Sequence, residues 1–147
     1  MLEGNLSWKE IKKEVYEIFQ PIESLSKKLR VEIDYKDGLF NVEMLMKEMQ
    51  CCLEKMETCH EKDSFLDIEI LNSVKPQIKL FIDSVNDLAA EERIVLYYLL
   101  IKKESEYDVA NNRMPSPYSA SKLNRFKRSV FLKLLENIKY NKFMKQE

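Results

Sequence analysis

The chain has 147 residues, 45% of them hydrophobic and 33% charged, a length that suits one compact domain or two small ones without disulfide or metal staples. Gly4 and Gly38 are the only glycines, so neither a dinucleotide fingerprint nor a P-loop can be written, because each gathers several glycines in one phosphate-cradling turn. The net charge of −1 hides an asymmetry, with +6 from Ser116 to Glu147 and −7 from Met1 to Pro115, the pattern of a basic segment that meets a polyanion beside an acidic body.

Ser7 with Glu10 reads as a capping box, each side chain satisfying the other's free backbone N–H, so a helix begins here. Trp8, Ile11, Val15, Ile18, Ile22, Leu25 and Leu29 follow at three-four spacing, a seam for one partner face. Pro21 predicts a kink, or two helices meeting near Gln20, because proline removes a hydrogen bond and clashes with the preceding turn. The seam suits a homodimer and the protein's own core equally, being shorter than the roughly three to four heptads of a coiled coil.

Val31, Ile33 and Tyr35 alternate with polar residues, and Asp37-Gly38 offers turn chemistry towards Leu39–Val42. A short hairpin and a plain loop are equally compatible, since an isolated two-stranded ribbon is marginal in water. Asn41 predicts an N-cap for a helix carrying Val42, Leu45, Met49, Cys52, Met56 and Cys59 on one face and ending near Asp63. Cys51, Cys52 and Cys59 are odd in number and lack a Cys-x-x-Cys pair, and the first residues form no signal segment. Reduced thiols in a cytoplasmic protein fit better than a zinc site, and no metal or other cofactor is expected. Cys59 and His60, as neighbours on a helix, point apart and make no nucleophile pair.

Two helices are predicted over Phe65–Val74 and Pro76–Val85, the second opening on a first-turn proline and burying Ile78, Ile82 and Val85. Asn86 or Asp87 then caps a helix through about Ile101 whose face includes Leu88, Val95, Leu96, Leu99 and Leu100. The longest apolar run, Ile94–Ile101, has eight residues, against the roughly 20 that span a bilayer, so a soluble chain with no membrane partner is expected. A further helix covers Ser105–Asn112 with Tyr107, Val109 and Ala110 inward, and two prolines between Met114 and Ser119 force a turn. The last helix starts at Ser119, with Leu123, Phe126, Val130, Leu134 and Ile138 as its core stripe. Lys122, Asn124, Arg125, Lys127 and Arg128 lie away from that stripe or on its flanks.

Helix, short helix, turn, then a helix opening with serine, lysine, asparagine and arginine is the layout of a helix-turn-helix unit. A helix N-terminus aims free N–H groups at phosphate, while Arg and Asn make paired hydrogen bonds to guanine and adenine edges in the major groove. The stretches Leu88-Ala-Ala-Glu-Glu-Arg93, Leu96-Tyr-Tyr-Leu99, Tyr107-Asp-Val-Ala110 and Ser119-Ala-Ser-Lys-Leu-Asn-Arg-Phe-Lys-Arg-Ser-Val-Phe-Leu-Lys-Leu134 resemble the C-terminal part of ArpU/RinA-type phage transcriptional regulators, themselves similar to region four of bacterial sigma factors. In that resemblance Ser119 opens the recognition helix, Arg125 matches the usual arginine, Lys127 and Arg128 match the basic pair, and Leu132 and Leu134 match the trailing leucines. Lys122 stands where threonine is usual, and the turn from Asn111 to Tyr118 is longer than the family's and lacks its Leu-Gly. The resemblance implies a cytoplasmic regulator from a phage or mobile element, an activator of late genes that acts beside RNA polymerase in a bacterial host.

The fold class expected is all-α, with N-terminal amphipathic helices over 1–85 and a helix-turn-helix domain over 86–147. The N-terminal part is unassigned, its candidate roles being oligomerisation and capture by a protein inhibitor. Lys122, Asn124, Arg125 and Arg128 are expected at base edges or phosphates, Ser119 and Ser121 at backbone phosphate, and Lys127 and Lys133 as added electrostatic affinity for double-stranded DNA. Glu91, Glu92, Glu104 and Glu106 read as first-turn or surface acids rather than acid–base pairs, so no enzyme is expected. The alternative is a helical protein-interaction module whose basic tail is incidental.

Overall fold

A computed structural model of the chain describes residues 6–33, 35–36, 39–58 and 64–144. The expected Asp37-Gly38 turn, the helix end near Asp63, Cys59 and His60 lie outside these residues. The protein is mainly helical, as the periodicities predict. Helix α1 (Trp8–Leu29) starts as read, with the Ser7 hydroxyl accepting from the Glu10 N–H at 3.2 Å. It runs unbroken through Pro21, so the expected alternative of two helices meeting near Gln20 is corrected. Pro21 and Glu17, whose carbonyl the proline leaves without its helical donor, are both exposed, and water can serve that carbonyl. Arg30 closes α1 in the left-handed region at φ 56°, its N–H returning to Lys27 and Ser26.

The α1 seam fills the protein's own core. Ile11, Val15, Phe19, Ile22, Leu25 and Leu29 are buried, so the homodimer role for this face falls away. Phe19, absent from the sequence-derived seam, stacks on Phe81 with ring centroids 5.3 Å apart, while Ile18 is half-buried.

Strands β1 (Tyr35–Lys36) and β2 (Leu39–Phe40) form an antiparallel ribbon pairing Tyr35 with Phe40. Tertiary docking decides what local sequence left open between hairpin and loop. The Asn86 side chain accepts from the Phe40 N–H at 3.0 Å and donates to the Phe40 carbonyl at 2.9 Å, and Tyr97 stacks on Tyr35 at 5.4 Å.

Helix α2 (Val42–Thr58) buries Leu45 and Met49, with Asn41 accepting from Met44 N–H at 2.9 Å. Cys51 is an exposed free thiol and Cys52 a half-buried one. Helix α3 (Ser64–Asn86) is continuous through the exposed Pro76, correcting the two helices expected over 65–74 and 76–85. Helix α4 (Ala90–Leu96) is capped at Ala89, whose N–H donates to Glu92 at 2.7 Å, and not at Asn86 or Asp87. It winds on as a π-turn over Tyr97–Ile101. Helix α5 (Glu106–Asp108), capped by Ser105, likewise passes into a π-turn over Val109–Arg113. Helix α6 (Ala120–Met144) spans 25 residues.

Two buried clusters hold these elements. The larger joins α1, α2, α3, the ribbon, the end of α4 with its π-turn, and Val130 to Ile138 of α6, so residues of both 1–85 and 86–147 contribute to it. The smaller gathers Val95, Val109, Ala110, Met114 and Leu123. Among the described residues no helix is long and apolar enough to cross a membrane. Phe81→Ala should cost about 3–5 kcal/mol by removing a fully buried ring that stacks on Phe19. Urea unfolding followed by circular dichroism measures this.

Candidate nucleic-acid interface

The small cluster fixes where α6 begins. Leu123, one turn into the helix, is buried against Val95 of α4 and against Val109 and Ala110 of the second π-turn, with Met114 closing the cluster from the connecting turn. That turn is tied down by the Tyr118 N–H, which donates to the Ala110 carbonyl at 2.9 Å, and by the Tyr118 hydroxyl, which donates to Glu91 at 2.7 Å. The Tyr118 ring meets Phe126 edge-on at 5.8 Å.

With Leu123 facing inward, helical periodicity turns Ser121, Lys122, Arg125, Arg128 and Ser129 outward, and all five are exposed, with Asn124 half-exposed beside them. Ser119 is exposed but already employed, its hydroxyl accepting from the Lys122 N–H at 3.1 Å as the α6 N-cap. The Lys122 ammonium lies 4.1 Å from the Tyr118 ring centroid, which holds it near the helix start. Arg125 has no hydrogen bond, ion pair or ring contact among the described residues and projects to solvent.

Two of the expected cations are placed differently. Lys127 is only 15% exposed, pairs with Glu106 at 3.1 Å and lies against the Trp8 ring of α1 at 5.3 Å. Lys133 pairs at 3.0 Å with Glu92, whose side chain is 8% exposed and also holds the α4 N-terminus. Both ammonium groups therefore tie α6 to its neighbours. Sequence reading missed these partners because Glu106 and Glu92 lie 21 and 41 residues away in the chain.

Glu91, Glu92, Glu104 and Glu106 have separate structural partners. Glu91 takes the Tyr118 hydroxyl, Glu92 serves Ala89 and Lys133, Glu106 meets Lys127, and Glu104 accepts a two-pronged bond from Arg113 at 2.9 and 2.6 Å. The fork from Arg113 holds the Glu104 carboxyl below its usual range. The bond to Glu91 holds the Tyr118 phenol above its usual range, with desolvation adding in the same direction.

No protein-family model, curated protein or solved structure matches this chain.

A phenol whose pKa is raised on folding contributes stability that is complete below its unfolded value and is lost as pH rises through the folded one. Tyr118 should therefore ionise above the ordinary phenol range in a spectrophotometric titration. Glu91→Gln should move its transition down towards the ordinary range. A late-titrating phenol that survives Tyr118→Phe unchanged would contradict the assignment.

Proposed function

We propose that the chain is a sequence-specific, double-stranded DNA-binding transcriptional regulator, with α4, α5 and α6 and their π-turns acting as a helix-turn-helix unit. The observation that carries this reading is the joint exposure of Lys122, Arg125 and Arg128 on the first turns of a helix whose opposite side is anchored by Leu123. A rigid helix start lined with cations, without an acid paired to any of the three among the described residues, suits the major groove, where arginine reads guanine edges and lysine meets phosphate. Asn124 and Arg125 supply base-edge contacts, while Ser121, Lys122 and Arg128 supply phosphate contacts. Ser119 adds its position at the helix N-terminus, and Lys127 and Lys133 contribute through the placement of α6.

The resemblance to ArpU/RinA-type regulators makes a late-gene activator beside RNA polymerase, in a phage or mobile element within the bacterial cytoplasm, the most specific form of this proposal. A second reading, a protein-interaction module, is favoured by Tyr140 and Phe143, which are 64% and 69% exposed near the end of α6. The two can act in one molecule, with the start of α6 on DNA and its end on a protein.

Arg125→Ala should weaken binding to a duplex selected from a random pool by about 1–3 kcal/mol and relax preference at the base pair it faces. Lys122→Ala should weaken all duplexes alike and lower the salt dependence by about one phosphate contact. Fluorescence anisotropy over a salt series measures both. Retention of full affinity by Arg125→Ala would remove its assigned role.

A further inference from the structure

Trp8, the chain's only tryptophan, stands at the start of α1 and packs on Phe131 of α6 with ring centroids 5.4 Å apart. Three cations surround its ring: Lys12 at 5.9 Å, Lys127 at 5.3 Å and Arg128 at 5.5 Å. They come from two helices, and one indole gathers them at the corner where the beginning of α1 crosses α6.

Glu106 pairs with Lys127, and Glu17 sits at 3.9 Å from Lys13, one turn further along α1. Glu10, which accepts from the Ser7 hydroxyl at 3.3 Å, and Glu14 form no ion pair with the corner's cations among the described residues. Lys9, Lys12 and Arg128 are exposed and have no ion-pair partner among the described residues. Like charges gathered around one ring repel one another, and a polyanion relieves that repulsion on contact. An aromatic ring beneath cationic side chains fixes their stems while their charged heads stay in solvent.

We infer that the duplex-contacting surface extends from the first turns of α6 onto the first turn of α1, where Lys9 and Lys12 take backbone phosphates beside the one met by Arg128. Trp8 acts as a positioning residue that holds Lys12 and Arg128 side by side. This inference rests on the duplex-binding reading above. It gives the otherwise acidic N-terminal half a direct part in binding, through phosphate alone, so its contribution is independent of base sequence.

The test uses the full chain and a fluorescein-labelled, mixed-sequence duplex of about 20 base pairs, two helical turns. Duplex anisotropy and Trp8 emission are read in parallel, and the single tryptophan makes the emission unambiguous. The parent should bind with a change in Trp8 emission. Lys9→Ala/Lys12→Ala, both surface changes that should leave the urea midpoint near the parent's, should lower the slope of log affinity against log salt by about 2. Trp8→Phe should retain the fold while losing part of the Arg128 and Lys12 contribution. If the parent binds duplex but the double variant keeps the parental slope, the inference is overturned and the duplex reading stands. If the parent does not change the anisotropy at all, the duplex reading fails and takes the inference with it.

Discussion

One helix belongs to two cores, and the rest of the molecule is arranged around that requirement. Val130, Phe131, Leu134, Leu135 and Ile138 place the middle of α6 in the large core with α1 and α3, while Leu123 places its first turn in the small cluster with α4 and the second π-turn. A rigid rod fixed at two points along its length cannot rotate about its axis. Its unburied face is thereby determined, and that face carries Ser121, Lys122, Arg125 and Arg128. Polar contacts reinforce the far end, where Asn137 donates to the Ser84 carbonyl at 3.1 Å and Asn141 donates to the Ser84 hydroxyl and to Asp87, each at 3.0 Å.

Charge is sorted by the same packing. Lys127 and Lys133 neutralise Glu106 and the nearly buried Glu92, and a carboxylate as enclosed as Glu92 is costly without such a partner. Lys122, Arg125 and Arg128 face solvent, two of them resting on aromatic rings. Basic residues that look equivalent along the chain thus divide into those that hold the fold and those left available to a polyanion. In the proposed reading the second group meets DNA.

Periodicity together with cap signals located α1, α2 and α6, because their inward faces repeat at helical spacing. Pro21 and Pro76 misled because their penalty depends on surroundings: each sits on an exposed flank of a helix whose other side is locked by Phe19 and Ile22, or by Ile78 and Phe81. Asn86 carried a capping signal, but its side chain pairs with Phe40, 46 residues away, and Glu92 supplies the cap instead. That same long-range pairing stabilises the ribbon, which a two-residue strand could not do by itself. At the candidate interface the outward position of Arg125 was legible, since it follows from burying Leu123. The loss of Lys127 to Glu106 and the clustering at Trp8 were not, because both depend on where α1 and α5 cross α6.

In the proposed reading the first turns of α6, held in place by the burial of Leu123, form the contact surface for double-stranded DNA. Backbone amide chemical shifts of isotope-labelled protein, followed as a pool-selected duplex is added, test it most directly. The largest shifts should fall between Ser119 and Ser129, with residues near Tyr140 and Phe143 unmoved. Shifts confined to the far end of α6, or absent from the whole chain at saturating duplex, would contradict it.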